Sequence, residues 1–382
     1  MNLSMKTIIK GYKYRLYPTD EQKEQINKTF GCCRFIYNHF LAMRIELYKA
    51  EQKSLSYSKC SSLLTQLKKE KEWLKEPDKC SLQNSLKDLD TAYQNFFREI
   101  KKGNNNQGFP KFKSKRNNNK SYKTNFTNNN IELYFTNNQV KLPKLGWVHC
   151  KLHREFTGKI LSATISQVPS GKYFVSLNVE CKHTQLPKNN NAVGLDLGIS
   201  DLLITSDDEF IENDKLTYKY EKQLSKLQRQ LAKKEKGSKN FHKQKARVAR
   251  LHEKIANIRK YNLHRISSRI VKENQFIFSE DLNVKGMVKN RNLAKSIHDV
   301  SWYELTRQLQ YKSDWNGRVY HKVDRYFASS QLCSSCGYKN TETKNLNVRT
   351  WICSECGSNH NRDINAAINI LNQGLKDLEV IL

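Results

Sequence analysis

Two C-x-x-C pairs, Cys333-Ser-Ser-Cys336 and Cys353-Ser-Glu-Cys356, stand near the end of this 382-residue chain with residues 337–352 between them. Each pair presents two thiolates on one knuckle, and two knuckles complete the tetrahedral four-sulfur shell that structural zinc prefers. The spacing lies within the C-x2-C-x15–20-C-x2-C window, so a zinc ribbon is the expectation and paired disulfides the weaker alternative. Gly337 and Gly357 each follow the second cysteine of a pair, where a knuckle needs a residue free to take positive φ. Just beyond, Asp363 opens a predicted helix in His360-Asn-Arg-Asp-Ile-Asn-Ala-Ala367. Four thiolates already fill a zinc shell, so His360 is read as a scaffold residue or phosphate contact.

Charge narrows the class of partner. The chain has 67 Lys and Arg against 37 Asp and Glu, a formal net charge of +30. An excess of this size on a folded chain points to nucleic acid. No apolar run approaches the length of a membrane span, and Met1–Lys10 lacks the apolar core of a signal peptide. The other six cysteines, at 32, 33, 60, 80, 150 and 181, show no framework spacing. Reduced thiols in a cytoplasmic, nucleoid-associated protein are therefore expected.

Patterning divides the chain. Residues 6–17 alternate as a strand, Pro18 ends it, and Thr19-Asp-Glu-Gln22 reads as a capping box. Ile26, Phe30, Cys33, Tyr37 and Leu41 continue at helical spacing over residues 20–50. Further helices are predicted at 56–75 and 81–101, and the Asn-rich stretch after Gly103 breaks the pattern. Short β-type runs follow at 131–135, 139–142, 147–152, 159–167 and 172–179. They predict a small barrel or sheet that the first strand completes, with the helices inserted.

A second block starts after the Asn-rich linker 188–191. Two or three strands are expected over 192–211, then a long helical region over 215–270 interrupted near Gly237-Ser238. From Lys215 to Arg265 there are seventeen Lys or Arg and three Glu, a local net of +14. The bland reading is a helical hairpin with a solvated face. The sharper one lays Lys243, Arg247, Arg250 and their neighbours along a phosphate backbone. Phe276–Phe278 is a buried-strand run, Ser301-Trp-Tyr-Glu304 a second capping box, 318–324 a strand, and 365–375 an amphipathic helix.

Three carboxylates sit at element ends. In Val193-Gly-Leu-Asp-Leu-Gly-Ile199 the odd positions share one face, so Asp196 points the other way, flanked by Gly194 and Gly198. Those glycines are read as leaving room for a metal and a phosphodiester. Glu280 ends the Phe276 strand, and Asp363 starts the last helix, where a cap or dipole partner is an equal alternative. Together they suit a hard-oxygen site for two Mg²⁺. No phosphate-binding or dinucleotide loop is present.

In these motifs the chain resembles the TnpB (OrfB) family of transposon-encoded RNA-guided nucleases, related to type V CRISPR effectors. The likeness rests on Tyr12-Lys-Tyr-Arg-Leu-Tyr-Pro18, Phe30-Gly-Cys-Cys-Arg-Phe-Ile-Tyr-Asn38, Gly194–Ile199, Glu280-Asp-Leu-Asn-Val-Lys-Gly-Met287, Asp324-Arg-Tyr-Phe327, the four cysteines and Arg362–Ala367. Asn361 stands where the family commonly has Asp, and Ala328 where proline is frequent. The resemblance implies a multidomain α+β protein: an N-terminal β-barrel (1–18 and 104–187), a helical recognition insertion (19–103), and a RuvC-like, RNase H-like nuclease domain (192–326 and 357–375). A zinc ribbon (327–356) interrupts that domain, and 376–382 form a tail.

It also implies Asp196, Glu280 and Asp363 as catalytic Mg²⁺ ligands, and Cys333, Cys336, Cys353 and Cys356 as ligands of one structural Zn²⁺. Arg325, Arg349 and Arg362 are expected as phosphate contacts. The implied activity is RNA-guided cleavage of double-stranded DNA beside a short flanking motif. Its guide would derive from the transposon end, one protein per RNA. The alternatives are a cleavage-silent repressor and a transposase of the same fold.

Overall fold

A computed structural model of the chain describes residues 4–103, 108–116, 120–345 and 347–381. Residues 1–3, 104–107 and 117–119 of the predicted barrel segments, Leu346 of the predicted ribbon and Leu382 of the predicted tail lie outside the described residues. The chain forms two compact units, residues 7–182 and residues 1–6 with 183–382.

In the first unit, β1 (Met5–Tyr17) buries Ile8, Tyr12, Tyr14 and Leu16 on one side. Thr19 then closes the predicted capping box on α1 (Asp20–Glu51). Its hydroxyl accepts from the Gln22 amide at 3.3 Å, and Gln22 Oε1 accepts from the Thr19 amide at 3.0 Å. The predicted apolar stripe of α1 is buried against α2 (Tyr57–Glu70) and α3 (Lys79–Lys101). Strands β2 (Lys120–Asn125), β3 (Glu132–Tyr134), β4 (Gln139–Leu142), β5 (Gly146–Lys151), β6 (Lys159–Gln167) and β7 (Tyr173–Thr184) join β1 in one sheet. Its order is β2-β6-β7-β1-β5-β4-β3.

The first strand thus completes the sheet from its centre, and the helices are an excursion between β1 and β2. Among the described residues the predicted barrel does not close, and the sheet is a half-barrel ending at β2 and β3. Helix α3 lies over the β2 edge, where Asn84 Nδ2 donates to the Lys123 carbonyl at 3.0 Å, and β3 is only three residues long. Covered and shortened edges limit further strand pairing. Strand β2 escapes sequence reading because only Tyr122 and Thr124 of Lys-Ser-Tyr-Lys-Thr-Asn are buried.

In the second unit, β8 (Ala192–Asp196), β9 (Asp201–Thr205) and β10 (Phe210–Glu212) form an antiparallel meander. Helices α4 (Leu216–Lys219), α5 (Glu221–Ala232) and α6 (Lys239–Glu273) lead to β11 (Phe276–Glu280), parallel to β8. After α7 (Val284–Met287), α8 (Arg291–Val300) and α9 (Trp302–Asn316), β12 (Val319–Val323) adds parallel to β11. A small ribbon, β13 (Thr350–Ile352) paired with β14 (Asn359–Asn361), runs into α10 (Arg362–Asp377).

The sheet order is β10-β9-β8-β11-β12. As alternation requires, Val193, Leu195 and Leu197 face one core with Ile277 of β11, Leu263 and Ile270 of α6, and Leu305 and Leu309 of α9. The opposite face packs Phe278 and Val323 under Ile370 of α10.

Two sequence expectations are corrected here. Ser301 does not cap α9, because α8 ends on the same residue. Ser301 therefore takes a left-handed conformation, φ 54°, as the C-cap of α8 and makes no side-chain cap bond to α9. Glu304 turns instead to Arg307, 2.8 Å away. The glycines around Asp196 do not open room for a ligand. A Cβ on Gly194 would lie 2.0 Å from the Ala367 carbonyl oxygen of α10, and one on Gly198 would lie 2.8 Å from the Asp201 carbonyl oxygen. Both glycines admit backbone, not substrate.

A matching glycine on the helix gives a test. A Cβ on Gly374 would lie 2.0 Å from Phe278 Cδ1. Gly374→Ala is expected to destabilise the protein by about 1–3 kcal/mol despite alanine's better helix propensity. Adding Phe278→Leu should recover part of that loss in denaturant unfolding, because the smaller side chain vacates the contact.

Candidate functional site

The second unit gathers its acidic residues by register. Phe278 pairs with Gly194 and Ser279 with Leu195, so the next row sets Glu280 beside Asp196 at the ends of β11 and β8. Period two puts Asp196 on the Gly194 face and Glu280 on the Phe278 face, the side that α10 covers. From Ala367, four residues back along α10 is about 6 Å, and two residues forward from Gly194 is about 6.6 Å. Asp363 therefore arrives above Asp196.

The electrostatics agree with that placement. Burial first, then the carboxylates of Glu280 and Asp363, hold Asp196 well above the ordinary carboxylate range, while Arg362 pulls it down. Ser329 donates to Glu280 Oε1 at 2.6 Å, and Arg349 Nη1 donates to Asp363 Oδ2 at 3.0 Å. Asp363 is not the helix cap. Asn361 takes that role, its side-chain oxygen accepting from the Asp363 and Ile364 amides at 3.0 and 3.2 Å. The carboxylate of Asp363 is thereby left for other partners. Glu280 and Asp363 thus lie near enough to raise the proton affinity of Asp196, but among the described residues these carboxylates do not form a compact ligand group as the four cysteines do.

The four cysteines make a second cluster. Their sulfurs all lie within 4.8 Å of one another, with Cys333–Cys356 and Cys336–Cys353 each at 3.6 Å. Gly337 and Gly357 take φ of +81° and +72° and donate to the carbonyls of Cys333 and Cys353 at 2.9 Å. Two like knuckles facing each other form a closed four-sulfur set, the donor chemistry of structural zinc. His360 is buried with Nε2 3.0 Å from Cys333 Sγ and its ring 4.7 Å from that of Trp351. That is a scaffold position against one sulfur.

The ribbon is tied to α10 by two asparagines that sequence reading missed. Asn365 accepts from the Ser334 amide at 2.9 Å and donates to the Leu332 carbonyl at 2.6 Å. Asn369 donates to the carbonyls of Ser329 and Leu332 at 2.8 and 2.7 Å. Their one signal is polarity at i and i+4 on a helix face otherwise made of Ala366, Ala367 and Ile370.

The expected phosphate contacts differ in setting. Arg325 holds Asp281, the residue after Glu280, through Asp281's carbonyl and carboxylate. Arg349 holds Asp363, and the Nε of Arg362 is buried with no partner. Lys243, Arg247 and Arg250 are exposed on α6. The apolar stripe of that region is the hairpin's own seam, Leu224 and Leu227 of α5 against Leu251, Ile255 and Ile258 of α6. Among the described residues no helix is long and apolar enough to cross a membrane.

Three family models match. Residues 174–291 match one described as "Probable transposase", residues 302–370 one described as "Cas12f1-like, TNB domain", and residues 5–53 one described as "Helix-turn-helix domain". The last segment here is a strand and one long helix. A "Putative RNA-guided DNA endonuclease" of Streptomyces pristinaespiralis is 38% identical over 97% of this chain and 90% of its own length. The Escherichia coli K12 "Putative RNA-guided DNA endonuclease InsQ" is 36% identical over 96% and 92%. Among solved structures, a Cas12f1 chain from a "Cas12f1-sgRNA-target DNA complex" covers 96% of this chain and 99% of its own, with TM-score 0.58 and 14% identity, a likeness of fold. At this identity over almost its whole length, the chain belongs to the TnpB (OrfB) family of transposon-encoded RNA-guided nucleases.

Proposed function

We propose that the chain is an RNA-guided DNA endonuclease, and the observation that carries this reading is its near-full-length kinship with relatives of that name. The net charge of +30 supports nucleic-acid partners. In this reading a guide RNA from the transposon end pairs with duplex target DNA beside a short flanking motif. One protein serves each RNA in the cytoplasm, and base pairing carries the sequence information. The exposed Lys243, Arg247 and Arg250 of α6 would lie along the phosphates.

Asp196, Glu280 and Asp363 would hold Mg²⁺, in a nuclease domain of RuvC-like, RNase H-like architecture interrupted by the ribbon. Two bound ions would stabilise the attacking water and the leaving oxygen of an in-line phosphodiester displacement. The chain's own contributions are positional. Ser329 fixes the Glu280 carboxylate, and Arg349 holds Asp363 while offering a cation beside the scissile phosphate. Asn361 keeps the first amides of α10 satisfied, so Asp363 need not cap. Cys333, Cys336, Cys353 and Cys356 would bind one Zn²⁺.

A second reading has its own observation, the "Probable transposase" match: the same carboxylates would then serve strand transfer. One assay separates them. Protein purified with its own RNA, given Mg²⁺ and a matched duplex carrying the flanking motif, is expected to break the DNA. Asp196→Ala should lower the rate by about 100-fold or more, the scale of losing a preorganised electrostatic stabiliser, and EDTA should abolish it. Wild-type binding without breaks would leave the repressor reading, and products joined to a second DNA would favour the transposase.

The ribbon has a separate test. Elemental analysis of fresh protein is expected to find one zinc per chain, lost in Cys353→Ser. Because β14 runs directly into α10, zinc loss should also speed amide exchange at Asp363 and Ile364. Absence of zinc in fresh protein would refute the assignment.

A further inference from the structure

A cavity of about 660 Å³ opens between α1 and α3 of the first unit, closed on one side by the segment carrying Phe109. Its walls are aromatic: Tyr48, Tyr93, Phe96, Phe97 and Phe109. The rings brace one another, with Phe96 and Tyr93 each about perpendicular to Phe109 at 5.3 and 5.4 Å between centroids. Yet the pocket is not a core. Tyr48 is 56%, Phe97 53% and Phe109 43% exposed, an unusual density of open aromatic surface on so polar a chain.

The cavity's polar end is specific. Arg44 lines it and is 7% exposed, with its guanidinium 5.0 Å from the Tyr93 ring centre. Its Nη2 donates to Asp90 Oδ1 at 3.1 Å, and Gln94 takes Asp90 Oδ2 at 2.8 Å. Both carboxylate oxygens of Asp90 are thus engaged, while the Nε–H of Arg44 is buried with no acceptor. These bonds hold Arg44 as a fixed cationic wall beside the Tyr93 ring. At the mouth, Lys49 and Lys53 are exposed, Lys53 lying 2.9 Å from Glu51.

We propose that this pocket binds an unpaired base of the bound RNA. The base would stack on Tyr48 and Phe97, and the adjoining phosphates would meet Lys49 and Lys53. A flat ring to stack on aromatic side chains and a flanking anion to meet lysines are together the features of a nucleotide. RNA fits better than the target duplex, because folded RNA offers splayed, unstacked bases to aromatic side chains, whereas duplex bases remain stacked. The inference rests on the RNA-guided reading above but concerns a different surface from the carboxylates.

The test uses the full chain with the RNA that co-purifies with it, transcribed with 4-thiouridine. Irradiation is expected to cross-link the RNA to peptides containing Tyr48, Tyr93 or Phe97. Phe97→Ala, an exposed position whose folding is checked by thermal unfolding, should weaken binding of that RNA about tenfold and remove the cross-link. Phe97→Trp should retain both. Cross-links found only elsewhere, or a Phe97→Ala protein that binds RNA like the wild type, overturn the proposal. Loss of self-association in Phe97→Ala with RNA affinity intact also overturns it, because the groove would then seat a second copy of the chain. In either case target cleavage by the wild-type complex would leave the nuclease reading standing.

Discussion

The close approach of α10 to β8 is the contact on which the acidic site depends. Gly194 is buried beneath the Ala367 carbonyl with no space for a side-chain carbon. Gly374, two turns further on, accepts the Phe278 ring in the same way. Two points of backbone-level contact fix a helix in height, rotation and direction, which one patch of aliphatic packing would leave adjustable. Because α10 runs back over the strands from their C-terminal ends, that fixation delivers its first turn to the row of Asp196 and Glu280. Any side chain at Gly194 would lift the helix, and Asp363 would rise with it.

The other end of α10 is governed by the cysteine ribbon. β14 passes into α10 without an intervening loop, so the four-sulfur cluster sets where the helix begins. Asn365 and Asn369 then stitch the helix to the carbonyls of Leu332 and Ser329, just upstream of the first knuckle. A structural zinc contributes on the order of 10–16 kcal/mol to the order of a small ribbon, more than the asparagines' four hydrogen bonds of about 1 kcal/mol each. The asparagines are therefore best understood as registration. Bound zinc would make the ribbon rigid, and the amides determine which turn of the helix it grips.

Much of this was legible in the sequence, for identifiable reasons. The Thr19 capping box, the α1 stripe, the alternation around Asp196 and the two glycine knuckles are local patterns, and each has its expected geometry. What escaped was set by distant contacts. The role of Gly194 is invisible because its partner, Ala367, lies far along the chain. The failed capping box at Ser301 shows the converse: a correct local motif was overruled when α8 ended on the same residue, leaving no extended N-cap conformation to adopt. Polar β2 was missed because its partners are a covering helix and a neighbouring strand, neither of which appears in its own periodicity. Of the candidate site, the three carboxylates could be nominated from strand and helix ends, but not Ser329 or Arg349, which come from the loops that the ribbon organises.

The three carboxylates also differ in how they reach the site. Asp196 and Glu280 are neighbours by the pairing of adjacent strands and remain together whenever β8 and β11 pair. Asp363 joins them only when α10 is seated and its ribbon closed. Proton affinity at Asp196 is raised by both Glu280 and Asp363, so docking the helix adds a third negative charge that the protein offsets with Arg349 and Arg362. In the proposed reading, a divalent cation held by these carboxylates would relieve that repulsion further than the arginines do. Cation binding and helix docking would then favour each other by linkage. The ribbon, next to Asp363 in sequence, would then be thermodynamically part of the site.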